Sequence, residues 1–279
     1  MLHLVLNPMA KETGDDAGFS LNNKRLMYAT MAIVIILIPI IYFYFNAINQ
    51  PSQPRAAVID QLGSSRLAQN IRFENRSFVA TALAFLQSRF QLVDYYSDNA
   101  TVEQYKELGS RNYKLIVWRA HSALDQESKY VAISTTERYG SQNYDEYLDN
   151  DQLTLCNVTG DSDLNKMYLG ITPKFVKEVI SGRFENTAII LLSCNGLRNG
   201  YYSTAQAFEE KGARVFVSWD EWVDFDINDH AGSLLLQYLF SNNDTLSTAI
   251  GRMPAYSSGS GVQVRLKYDP ENAADYRVP

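Results

Sequence analysis

Three runs constrain the fold of this chain more than any other feature: YKLIVWRAH (113–121), TAIILLSCNG (187–196) and ARVFVSW (213–219). Each is a nearly unbroken apolar stretch, the pattern of a parallel strand buried on both faces. AAVIDQL (56–62), QLVDYY (91–96), KYVAIST (129–135) and LTLCNV (153–158) read as further strands. SFVATALAFLQSRF (77–90) reads as an amphipathic helix, and TVEQYKELG as a short one that Thr101 caps and Gly109 ends. TPKFVKEVISGRF (172–184) is a predicted helix with Pro173 at its first position. TAQAFEEKG (204–212), stopped by Gly212, DHAGSLLLQYLF (229–240) and TLSTAIGRM (245–253) complete the helices, and VQVRLKY (262–268) is an expected edge strand. Strand–helix alternation of this kind predicts an α/β fold with a mostly parallel sheet and helices on both faces. In such sheets function gathers at the carboxyl ends of the strands.

Composition narrows the chemistry. Two cysteines cannot build a disulfide-dense scaffold, and three histidines leave little for a Cys/His zinc module, so neither metal nor cofactor is expected. With 25 basic against 31 acidic residues the chain lacks the footprint of a nucleic-acid binder. A hydrophobic share of 46% and 15 Gly among 279 residues exclude disordered and collagen-like chains.

One segment is not globular. No charged residue occurs from Leu26 to Pro54, and its centre reads MYATMAIVIILIPIIYFYF (27–45). About 20 apolar residues span a bilayer, so 26–46 is expected to be a transmembrane signal anchor. Tyr28 at one end and Tyr42, Phe43, Tyr44 and Phe45 at the other suit the headgroup belts, and Pro39 is tolerated in lipid. A cleaved signal peptide is the rival; the length of the run and the lack of a nearby small-x-small site stand against it. Lys24 and Arg25 then hold a short N-terminus (1–25) in the cytoplasm, AINQPSQPRA (47–56) serves as a stalk, and 57–279 forms an extracytoplasmic domain at the cell membrane. Four sequons, at Asn75, Asn99, Asn157 and Asn243, lie in that domain as glycosylation candidates.

Two of the apolar strands end in reactive side chains, His121 and Cys194. A thiolate is a strong nucleophile, and a neighbouring imidazole lowers its pKa and carries protons. Ser122-Ala123 and Asn195-Gly196 follow them, small enough for backbone N–H groups to approach a bound carbonyl as an oxyanion hole. The bland reading is an inert buried cysteine and a satisfied core histidine.

IVWRAHS (116–122) and IILLSCNG (189–196) resemble the paired motifs of the caspase–gingipain–clostripain–legumain group of cysteine peptidases, which includes the CHAT domains. In that group one apolar strand ends in His-Gly and a later one in Ala-Cys or a close variant. AQAFEEKGARVFVSWD (205–220) resembles the segment that follows the cysteine in its CHAT and clostripain-like members. The likeness follows the order of elements through most of the outer domain, but in sequence it rests on about two short motifs. It implies a three-layer caspase-like sandwich and a thiol peptidase: Cys194 as nucleophile, His121 as general acid/base, and the N–H groups of Ser122 and Cys194 as oxyanion donors. Trp219, Asp220 and Glu221 fall where the group builds its substrate pocket, which implies a preference for basic residues before the cleaved bond. Ser122 departs from the group's glycine. The His-to-Cys interval is longer than the roughly 50 residues of caspases, and the Tyr-rich insertion 138–150 accounts for the difference. A catalytically silent domain of the same fold, acting as a surface binding or assembly module, is the alternative; a third possibility is an unrelated parallel α/β receptor domain with the two strand ends far apart.

Other features have plainer readings. The carboxylates Asp220, Glu221, Asp224, Asp226 and Asp229 match no EF-hand spacing and read as a solvated acidic loop or a pocket for a basic side chain. The Tyr-rich 139–148 reads as a surface loop or a peptide or carbohydrate contact. Cys156 is expected to be buried and structural, with pairing to Cys194 the alternative outside the cell. His3 and His230 have no evident partners. The partner implied by the motifs is a peptide or protein substrate; oligomeric state is left open.

Overall fold

The computed structural model describes residues 16–49, 53–160 and 162–279, with the backbone alone described over 16–25 and 43–49. The chain divides into two compact units, residues 1–52 and 53–279. In the first, α1 (Asp16–Asn49) is one continuous helix with Pro39 inside it. All its residues from Leu26 to Tyr42 are exposed. Among the described residues no helix is long and apolar enough to cross a membrane. The side chains of 43–46, the end of the expected anchor, lie outside the described residues, as do residues 1–15 with His3 and residues 50–52 of the expected stalk.

The second unit runs β1 (Arg55–Asp60), α2 (Arg76–Gln87), β2 (Leu92–Tyr96), α3 (Val102–Lys106), β3 (Tyr113–Arg119), β4 (Ser122–Asp125), β5 (Tyr130–Arg138), α4 (Asp145–Asp149), β6 (Leu153–Cys156), β7 (Tyr168–Ile171) and α5 (Pro173–Glu178). It continues with β8 (Ala188–Leu192), α6 (Ser203–Glu210), β9 (Val215–Trp219), α7 (Phe225–Phe240), α8 (Leu246–Gly251), β10 (Tyr256–Ser257), β11 (Gln263–Val264) and β12 (Leu266–Asp269). The central sheet has the order β12-β9-β8-β3-β1-β2, and all of its pairings are parallel except that of β12 with β9.

Side chains alternate across a strand, so one apolar run feeds two cores. Ile116, Trp118, Ile189, Leu191 and Phe216 enter one core with Phe175 and Phe208 of α5 and α6. Leu115, Val117, Ile190, Leu192 and Val217 enter the other with Phe78, Leu86 and Leu235 of α2 and α7. Helices therefore cover both faces, and β3, β8 and β9 are apolar at nearly every position, with Lys114, Arg119 and Ser218 the exceptions.

Several boundaries moved. The run 129–158 forms, with β4 and β7, a separate antiparallel sheet ordered β4-β5-β7-β6 rather than extra strands of the parallel one. α5 stops at Glu178, well before Phe184, because Gly182 turns with φ +73° and packs against Gly109 too closely for any side chain. α7 begins four residues early, at Phe225, after Asp224. The expected edge strand splits into β11 and β12, and β12 is the antiparallel edge. The Tyr-rich insertion carries α4, and its Tyr144 is buried with its hydroxyl on Glu137.

Candidate active site

β3 and β8 are adjacent and parallel, so their carboxyl ends open side by side. There the chain leaves β3 for the antiparallel sheet and leaves β8 for a tight turn, and the gap between the two exits is a cleft of about 390 Å³. His121, Ser122, Cys194, Trp222, Asp224 and Phe225 stand on its walls.

His121 is held from three sides. Its backbone N–H donates to Gln61 Oε1 at 2.9 Å, while Gln61 Nε2 donates to the Thr135 carbonyl at 2.9 Å. Its carbonyl accepts from Ser134 N–H, and its ring meets Phe225 edge to face at 5.5 Å. Nε2 lies 2.9 Å from the Ile71 carbonyl. A carbonyl only accepts, so in the neutral ring Nε2 carries the proton and Nδ1 keeps a lone pair. Burial, with a smaller push from the nearby Arg119 charge, holds the imidazole pKa below its ordinary value.

Cys194 is partly exposed and unpaired, and its thiol donates to the Val223 carbonyl at 3.5 Å. Burial raises its pKa. Both shifts favour the neutral form of each group. Cys156 is also free, fully buried, and packed so tightly against Gly170 that no side chain fits there.

The three residues expected to form a substrate pocket lie away from this cleft. Trp219 is fully buried within β9, its Nε1 donating to Asn228 Oδ1 at 2.8 Å. Asp220 accepts from Arg265 N–H at 2.8 Å and pairs with Lys267 at 3.1 Å; Glu221 pairs with Arg198 at 3.1 Å. None of the three lines the cleft. The strand continues through Trp219, so that side chain belongs to the core, and the chain reaches the cleft from Trp222, half exposed, onward. The acidic segment is likewise not one solvated loop, because Asp229 is buried on Arg119.

Of the sequon residues, Asn75 caps α2 through Phe78 N–H and donates to Asp229 at 2.8 Å. Asn99 and Asn243 are exposed, and Asn157, exposed as well, sits on the rim of the cleft. His230 is exposed, with its ring edge towards Tyr256. Among the described residues no group of three His, Cys, Asp or Glu side chains could hold a metal ion.

Gln61 and the Ile71 carbonyl were not legible in the sequence. Gln61 ends a strand like many other glutamines, and a backbone carbonyl has no sequence signal at all. A comparison with protein-family models gives no match, and a comparison with curated proteins gives none either.

Proposed function

We propose that this chain is a membrane-anchored cysteine peptidase of caspase-like fold, with its catalytic domain outside the cytoplasm. One observation carries the reading: His121 and Cys194 line a single cleft at the carboxyl ends of adjacent parallel strands. The anchor and its orientation rest on the uncharged run 26–54 and on Lys24 and Arg25.

In the reaction Nδ1 of His121, its lone pair free, takes the thiol proton as Cys194 sulfur attacks the substrate carbonyl carbon. The tetrahedral oxyanion is met by backbone N–H groups of Ser122 and Cys194. The C–N bond breaks as the imidazolium returns the proton to the departing amine. Water then attacks the thioester, with His121 again accepting and returning a proton, and frees the acid and the thiol. Among the described residues the only carboxylate on the cleft wall is Asp224, so a basic residue before the cleaved bond would be recognised there rather than at Asp220 or Glu221. Trp222, half exposed on the same wall, could stack on that cation.

An electrophilic peptide bearing Arg next to its reactive group tests the reading. Wild type should be labelled at Cys194, with Cys194→Ala unlabelled and His121→Ala slowed about a hundredfold or more. Asp224→Asn should cut the preference for Arg over a neutral analogue about tenfold. Equal labelling of His121→Ala and wild type would leave the silent binding module as the better reading.

A further inference from the structure

Ser122 stands where the resemblance expects glycine, and its hydroxyl has a definite partner: Oγ donates to the carbonyl of Cys194 at 2.6 Å. That carbonyl shares one peptide unit with the N–H of Asn195, which donates to the Glu221 carbonyl at 3.1 Å. A peptide unit is planar, so fixing its oxygen and its hydrogen from opposite sides fixes its rotation. The turn needs such a restraint. Asn195 has φ +61°, a left-handed conformation uncommon outside glycine, and Gly196 lies so close to Ser218 that a side chain would collide with Ser218 Oγ.

We propose that Ser122 is a positioning residue: its hydroxyl latches the Cys194–Asn195 peptide unit and holds the nucleophile turn facing His121 across the cleft. The latch joins the exit of β3 to the exit of β8, the two places that carry the dyad. Its consequence for reactivity rests on the peptidase reading above. Glycine at 122 would leave the Cys194 carbonyl without this donor and the unit free to rotate. Restoring the group's usual residue should therefore impair the site rather than improve it.

Two measurements on the full chain test this. Amide hydrogen exchange at Asn195 reports the latch directly. Ser122→Gly and Ser122→Ala should exchange about tenfold faster there, the equivalent of one lost hydrogen bond, while Ser122→Thr, which keeps a hydroxyl, restores protection. Alkylation of Cys194 by iodoacetamide near neutral pH reports the consequence. His121→Ala should slow it in wild type but change little in Ser122→Gly, so that the double-mutant cycle shows coupling. Unchanged Asn195 exchange in folded Ser122→Gly and Ser122→Ala overturns the latch. Faster exchange with no His121 dependence in wild type leaves the latch standing and overturns the peptidase reading.

Discussion

At the scale of single residues, the two cysteines show how position decides chemistry. Cys156 ends β6 and Cys194 follows β8, yet Cys156 points into packed atoms and Cys194 into a cleft. Burial raises the Cys156 thiol from 9.0 to about 11. The unfolded chain then loses this proton near pH 9, and the folded one keeps it to about pH 11. Over that window the folded state binds more protons, so stability falls as pH rises, by at most about 3 kcal/mol. Cys156→Ala should begin less stable, because it opens a void beside Gly170, but should lose less between about pH 8 and about pH 10.5. Urea unfolding of both proteins at the two pH values checks this; equal losses would show that the thiol is not the titrating group.

At the scale of elements, an arginine inside an apolar strand ties three of them together. Arg119, fully buried at the end of β3, reaches Asp60 of β1 at 2.7 Å and Asp229 of α7 at 2.6 and 2.8 Å. It also donates to the Phe73 carbonyl. The pattern of YKLIVWRAH made the strand legible, because apolar residues on both sides of Arg119 mark burial whatever the arginine does. Its partners lie far along the chain and were not legible. Removing the cation alone strands two buried carboxylates, so Arg119→Met should cost about 3–5 kcal/mol in denaturant unfolding. A loss under about 1 kcal/mol would mean that the carboxylates simply take up protons. Because His121 lies two residues on, the same variant should also slow labelling of Cys194.

At the scale of the whole molecule, both cores are built from residues after Gln53. A chain beginning at Gln53 should therefore keep the full protein's melting temperature within about 3 °C, as thermal unfolding by circular dichroism would show. If residues 26–46 are the anchor, the same truncation moves the protein from the membrane fraction to the supernatant. A truncated chain still sedimenting with membranes would remove the anchor assignment.

The sequence alone determined which strands are central, because a strand buried on both faces is apolar at nearly every position and few other structures require that. It also marked the strand ends that bear His121 and Cys194, since those are read directly from where apolar runs stop. Tertiary structure decided the rest. Whether β4–β7 join the parallel sheet depends on pairing between distant segments, which periodicity does not encode. Which acidic residue reaches the cleft depends on where β9 ends and α7 begins, a difference of only a few residues between Trp219 and Asp224. The groups that hold His121 and the turn at Cys194, namely Gln61, the Ile71 carbonyl and the Ser122 hydroxyl, act through hydrogen bonds between segments far apart in the chain, and only the folded backbone brings them into range.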